Sequence, residues 1–316
     1  MTTALAFPGQ GSQTVGMGKA LAEAFPAARA VFAQVDAALG QSLSKLIFEG
    51  PEAELTLTAN AQPALMATSL AALRALESEA GLDVSRDAAF VAGHSLGEYS
   101  ALCAAGALTI EDAARLLRIR GAAMQQAVPV GEGAMAAILG LEFEAVAAIA
   151  AEAAKSGGVC QAANDNGGGQ VVISGAKAAV ERAMEIAKAN GAKRALPLPV
   201  SAPFHCALMQ PAAFAMAAAL ATTTIVKPKV PLVANVTAGP LSDPEAIRAS
   251  LVSQVTGVVR WRESVQFMAG RGVDRFIEIG AGKVLAGLVK RIAANTSSIS
   301  VGTPADVEAY KVARVL

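Results

Sequence analysis

A short apolar run, Ala88–Ala92, leads straight into Gly93-His94-Ser95-Leu96-Gly97 and then into an apolar helical stretch from Glu98 onward. A buried strand that turns through a glycine-flanked serine into a helix leaves few choices of fold. Such a strand must be covered on both faces, and the turn leaves no room for bulky neighbours beside Ser95. The chain opens in the same rhythm, with Thr3–Phe7 as a buried strand stopped by Pro8-Gly9. A long helical stretch follows at Pro63–Glu79. Later, Asp274–Ile279 has buried-strand character and precedes a glycine turn and the helix Val284–Ala293. Strands alternating with helices predict an α/β chain with a mainly parallel sheet covered on both faces.

The middle of the chain has a different order. Ala134–Leu139 is a strand and Glu142–Lys155 a helix. Val159–Ala163 and Gln170–Ser174 are strands around the loop Asn164–Gly169, Lys177–Asn190 is a helix, and Arg194–Val200 is a strand. Strand, helix, strand, strand, helix, strand is the ferredoxin-like unit. We expect it as an insert over 128–198, with 1–127 and 199–316 forming the large domain.

Composition narrows the class of function. Hydrophobic residues make up 53% of the 316, enough for a large core. Lys plus Arg equals Asp plus Glu at 26 each, so no general basic bias points to nucleic acid. Cys103, Cys160 and Cys206 are odd in number and widely spaced, which suggests neither a disulfide framework nor a zinc site. The expected compartment is the reducing cytoplasm. Pro8 and Gly9 interrupt the apolar start, so no signal peptide is expected. The run Ala212–Ala221 is far short of the roughly 20 residues a membrane span needs.

Ser95 is the candidate nucleophile: the turn lifts its hydroxyl clear of the sheet, and the helix beneath offers free N–H groups to an oxyanion. Ser95 with Glu98 also fits a capping box, which would make Ser95 a helix cap and nothing more. A serine nucleophile needs a base. Only His94 and His205 are available. His94 adjoins Ser95 on a tight turn, where neighbouring side chains point apart, which leaves His205 in Ser201-Ala202-Pro203-Phe204-His205-Cys206. Cys206 has nothing local to lower its pKa and is expected to be a buried inert thiol.

On the helix Thr109–Gln126, Ile110, Ala113, Leu117 and Met124 share a face, and Arg120 falls on the flank of that apolar arc. Arg115 and Arg118 fall on the other side, with Glu111 and Arg115 spaced as an i, i+4 pair. A guanidinium turned inward needs an anion. A substrate carboxylate and an internal Asp or Glu both satisfy that need, and the pattern does not choose between them. The loop Phe7-Pro8-Gly9-Gln10-Gly11-Ser12-Gln13 could bring the Gln10 N–H to an oxyanion, or could be a plain glycine turn. It is not a dinucleotide loop, because Thr14 stands where the third glycine belongs, and Gly280-Ala281-Gly282-Lys283 lacks the rest of a P-loop.

Five segments together resemble the malonyl-CoA:acyl carrier protein transacylase family: FPGQGSQ at 7–13, GHSLGEYSAL at 93–102, RG at 120–121, GQVVISG at 169–175 and SAPFHCALM at 201–209. They follow the family's order across nearly the whole chain. The resemblance implies an α/β-hydrolase-like large domain and a ferredoxin-like insert, with Ser95 as nucleophile and His205 as its base. It implies that Arg120 holds the malonyl carboxylate and that Gln10 and Leu96 donate backbone N–H groups to the oxyanion. Gln254, followed by Val259-Arg260-Trp261, resembles the residue whose main-chain carbonyl orients the histidine. Phe204 resembles the variant associated with malonyl over methylmalonyl units.

The implied partners are malonyl-CoA and an acyl carrier protein, with Lys290-Arg291 as carrier-docking candidates by similarity. No metal or redox cofactor is implied, since coenzyme A and phosphopantetheine are parts of the substrates. The resemblance further implies supply of extender units for fatty acid synthesis, with a polyketide pathway or a serine thioesterase or hydrolase as alternatives. We expect a monomer.

Overall fold

The computed structural model describes residues 1–315. Ten strands form two sheets. In chain order they are β1 (Thr3–Phe7), β2 (Phe90–Gly93), β3 (Gly133–Leu139), β4 (Cys160–Asp165) and β5 (Gln170–Ala176). There follow β6 (Arg194–Pro197), β7 (Leu232–Val233), β8 (Pro240–Leu241), β9 (Arg275–Ile279) and β10 (Ser297–Val301).

The larger sheet runs β10-β9-β1-β2-β7-β8. Its first five strands are parallel and only β8 is antiparallel. β1 lies at the centre, with Leu5 opposite Val91 of β2 on one side and Ile277 of β9 on the other. Every residue of β1 is buried, as a parallel strand covered on both faces must be. The period-2 alternation sorts its side chains. Leu5 and Phe7 enter the core built with the helix Thr58–Ala80. Ala4 and Ala6 face the other way, where their small size admits Trp261, Val265 and Met268 of Trp261–Gly270 and Leu285, Leu288 and Val289 of Val284–Ile292.

The smaller sheet is antiparallel in the order β4-β5-β3-β6, with the helices Phe143–Lys155 and Lys177–Ala189 on one face. Ala136 and Ile138 of β3 point into that helical core, while Met135 joins the core of the larger unit. The βαββαβ order is therefore that of the ferredoxin-like pattern. The sheets are stitched together at the end of β4. Asp165 N–H donates to Val259 C=O, Val259 N–H donates to Ala163 C=O, and Arg262 Nε reaches Asp165 Oδ2 at 2.8 Å. Among the described residues no helix is long and apolar enough to cross a membrane.

β7, β8 and β10 carry no strand signal in the sequence. The first two are only two residues long, and β10 (SSISV) is largely polar along an edge of the sheet. The strand expected over Arg194–Val200 ends at Pro197, because the chain there leaves the sheet for the cleft.

Candidate active site

β2 ends at Gly93 and the helix Gly97–Ala104 begins four residues later. Both glycines are enforced by contact. A Cβ on Gly93 would lie 1.9 Å from the Gly97 carbonyl carbon, and one on Gly97 would lie 2.3 Å from the Phe7 carbonyl oxygen. Between them Ser95 adopts φ 53°, a strained value for a residue with a side chain. Asn235 holds the turn from both sides: its Oδ1 accepts from Ser95 N–H at 2.7 Å and its Nδ2 donates to Gly93 C=O at 2.7 Å. The capping box does not form. Leu96 is the N-cap residue and no side chain caps the helix, while Glu98 accepts from the Asn235 N–H and from Gln254 Nε2.

His205 Nε2 lies 2.8 Å from Ser95 Oγ. Its Nδ1 faces two carbonyl oxygens, of Gln254 at 3.0 Å and Gly257 at 3.2 Å. Two acceptors at Nδ1 require the proton there, so Nε2 is left to accept from the serine hydroxyl. Burial, aided by the positive charge of Arg120, pushes the His205 pKa down to about 3 and keeps the ring neutral. His94 turns elsewhere. Its Nε2 donates to Asn166 Oδ1 at 3.0 Å and its ring lies against Trp261. Cys206 is fully buried with its thiol directed to Pro203 C=O, and burial raises its pKa.

Arg120, on the helix Ile110–Gln126, is 1% exposed. Its partners are neutral. Nη1 donates to Gln62 Oε1 at 2.7 Å, and Nη2 donates to Gln254 Oε1 at 2.8 Å and to Ser95 Oγ at 3.1 Å. Its Nε is buried and has no hydrogen-bond partner. The buried guanidinium therefore sits beside the serine with a donor unused. On the same helix Arg115 pairs with Asp112 at 3.3 Å rather than with Glu111, and Arg118 donates to Asn60.

These groups converge on a cleft of about 440 Å³ between the two sheets. Gln10, Gln62, His94, Ser95, Arg120 and His205 are among its polar lining, with the exposed Glu52 also on it, and Met124, Met135, Val172, Val200 and Phe204 are among its apolar wall. The Gln10 side chain accepts from Thr58 Oγ1 at 2.8 Å. The backbone N–H groups of Gln10 and Leu96 have no hydrogen-bond partner among the described residues. Lys290 and Arg291 are exposed at the end of the helix Val284–Ile292, where Arg291 also reaches Gln170 at 3.2 Å.

Four groups escaped the sequence reading: Asn235, Gln62, the carboxylate of Glu98 and the side-chain amide of Gln254. None of them has neighbours in the chain that mark its role. Burial and hydrogen bonding alone give it meaning.

The sequence matches the acyl transferase domain family over residues 5–311. It is 49% identical over 305 residues to the malonyl CoA-acyl carrier protein transacylase of Bacillus subtilis (strain 168), covering 96% of this chain and 95% of that protein. The fold superposes on the crystal structure of the acyl-carrier-protein-S-malonyltransferase from Bartonella henselae with a TM-score of 0.96 and 58% identity over the full length of both chains. A malonyl-transacylase solved in complex with its type II PKS acyl-carrier protein gives a TM-score of 0.95 at 45% identity, covering 99% of this chain and 100% of that one. The match thus runs the full length of these relatives, and the chain belongs to the malonyl-CoA:acyl carrier protein transacylase family.

Proposed function

We propose that Ser95 and His205 carry out a ping-pong transfer in which malonyl is held on Ser95 as an ester. The protein is a malonyl-CoA:acyl carrier protein S-malonyltransferase, and the transfer supplies extender units for fatty acid synthesis. The observation that carries the residue roles is the buried Arg120 guanidinium, 3.1 Å from the Ser95 hydroxyl, with only neutral partners and a free Nε. No carboxylate touches that guanidinium directly, so a substrate carboxylate has a place to bind.

Malonyl-CoA binds with its carboxylate on Arg120 and its thioester carbonyl over Ser95. His205 Nε2 takes the serine proton as Oγ attacks the carbonyl carbon. The Gln10 and Leu96 N–H groups hold the oxyanion, an interaction worth about 3–4 kcal/mol per donor in other serine enzymes. The thioester bond breaks, and His205 returns the proton to the coenzyme A thiolate. The phosphopantetheine thiol of the carrier then attacks the ester by the same steps in reverse. His205 needs no acidic third member, because the Gln254 and Gly257 carbonyls orient its ring. Phe204 lines the cleft next to His205 and favours malonyl over branched units.

The segment 128–198 acts as an inserted subdomain that forms one wall of the cleft against the large domain of 1–127 and 199–316. Lys290 and Arg291 meet the acidic carrier at its mouth. The chain is taken as a monomer, and the three buried free cysteines favour the cytoplasm.

Intact-protein mass after brief incubation with malonyl-CoA tests the proposal. A malonyl adduct is expected on the native protein, none on Ser95→Ala, and little with acetyl-CoA. An adduct that persists on Ser95→Ala would remove Ser95 from the nucleophile role.

A further inference from the structure

Glu98 lies on the first turn of the helix Gly97–Ala104 and is 0% exposed. Its two oxygens accept from the Asn235 N–H and from Gln254 Nε2, both neutral donors. The positive charge acting on it is that of Arg120. Gln254 joins the two charges, since its Oε1 accepts from Arg120 Nη2 and its Nε2 donates to Glu98 Oε2. The other titratable groups of this interior are neutral. Burial holds His205 and His94 deprotonated, and it raises the pKa of the Tyr99 phenol. The buried site therefore contains one permanent positive charge and one carboxyl group that balances it when ionised.

A malonyl carboxylate on Arg120 changes that balance. Two carboxylates would then share one guanidinium in a poorly solvated interior, where like charges force one of them to take a proton. We propose that Glu98, where it is ionised, is the counter-ion of Arg120, and that occupation of Arg120 by a malonyl carboxylate is then coupled to uptake of one proton by Glu98. This rests on Arg120 being the carboxylate site. Glu98 touches no reacting atom, so it is a positioning residue that acts through Gln254 and Arg120.

The proton comes from solvent and converts the Glu98 carboxylate to the neutral acid. The hydrogen bonds accommodate it by rotation of the Gln254 amide. Its Oε1 then accepts from the Glu98 acid, and its Nε2 turns toward the malonyl carboxylate. The rotation gives up the bonds from Gln254 Nε2 to Ser95 C=O and from Arg120 Nη2 to Gln254 Oε1, and the malonyl carboxylate accepts from the freed Nη2. When malonyl leaves on the carrier thiol, the amide returns and the proton goes back to solvent.

Burial already raises the Glu98 pKa to about 8 in the empty site, and a second carboxylate raises it further. Binding favours the protonated form. Malonyl affinity is therefore highest at low pH and falls as pH rises through the empty-site value, by about tenfold per pH unit, until the occupied-site value is reached. Acetyl-CoA carries no carboxylate, so its affinity does not follow this curve.

Calorimetric titration of the Ser95→Ala protein, which cannot be acylated, tests the coupling. Malonyl-CoA and acetyl-CoA are compared in buffers of different ionisation enthalpy from about pH 6.5 to about pH 9.5, a span that brackets the raised carboxyl. The expected result is an uptake rising toward about one proton for malonyl-CoA on the alkaline side, and none beyond the acetyl-CoA baseline. Adding Glu98→Gln should abolish the uptake and flatten the pH dependence of malonyl affinity. No malonyl-specific uptake at any pH, or the same uptake with Glu98→Gln, overturns the proposal. The same titration with Arg120→Ala separates the two readings. If malonyl-CoA binds unchanged without Arg120, the carboxylate site itself is wrong. If Arg120→Ala removes malonyl preference while proton uptake is absent throughout, only the role of Glu98 fails.

Discussion

Ser95 and His205 meet at 2.8 Å with both backbones in the left-handed region, at φ 53° and φ 58°. Only Ala238 shares that feature among the described non-glycine residues. Left-handed residues with side chains persist where surrounding bonds over-determine them. Here Asn235 clamps the serine turn, and the Gln254 and Gly257 carbonyls hold the imidazole. The reacting pair is thus placed by groups that do not themselves react.

Asn235→Ala should expose that dependence. It leaves the Ser95 N–H and the Gly93 carbonyl without partners in a buried turn, at about 1–3 kcal/mol each. Denaturant unfolding should show the loss. The acylation rate should fall while the Michaelis constant for malonyl-CoA changes little, because Arg120 is untouched. An acylation rate equal to the native one would mean that the turn holds without Asn235.

His205→Ala should slow acylation by at least about 100-fold, as loss of a general base does. The native pH profile carries a second expectation. An ordinary histidine protonates near pH 6.5, but His205 is held down to about 3. The base is active when deprotonated, so a depressed pKa moves the acid limb to lower pH. Stopped-flow acylation should show no decline from about pH 7 to about pH 5. A limb near pH 6.5 would contradict the neutral buried ring.

Arg120→Ala should lower kcat/KM for malonyl-CoA by at least about 100-fold, since charge-assisted hydrogen bonds contribute about 1.5–3 kcal/mol each. Acetyl-CoA should be affected far less, so the preference between the two substrates collapses. The acid limb of the remaining activity should also move up, because one cause of the His205 depression is gone. Retained malonyl preference would take Arg120 out of the carboxylate site.

Arg262→Ala tests the seam between the sheets. The Asp165 side chain is 3% exposed and pairs with Arg262 at 2.8 Å. Removing one partner of a buried pair costs about 3–5 kcal/mol, and the partly exposed guanidinium points to the lower end. Urea unfolding should register the loss. Arg262→Lys, which keeps the charge, should recover part of it. Equal stability of the alanine variant and the native protein would show that backbone bonds from Ala163 and Asp165 to Val259 suffice.

Charge reversal at Lys290 and Arg291 should raise the Michaelis constant for the carrier and leave acylation by malonyl-CoA intact. Steady-state kinetics at low salt would read this most sharply, because exposed charges are screened as salt rises. If neither parameter moves, the carrier docks elsewhere.

Much of this architecture is legible in the order of residues alone. Leu5 and Phe7 alternate with Ala4 and Ala6, glycines stand where the Ser95 turn meets Phe7, and the strand–helix order from β3 to β6 specifies the smaller unit. These signals are local, because a strand's period and a turn's steric limits act over a few residues. Arg120 shows where that reach ends. Helical spacing put it at the flank of an apolar arc but left its anion open. Its partners Gln62 and Gln254 lie 58 and 134 residues away in the chain, and Asn235 lies 140 residues from the serine whose N–H it accepts. Only the tertiary fold could decide that Glu98, a plausible helix cap by spacing, faces Asn235 and Gln254 in a dry interior. A polar group's role there depends on which donors and charges share its low-dielectric surroundings, and neighbours along the chain do not determine those.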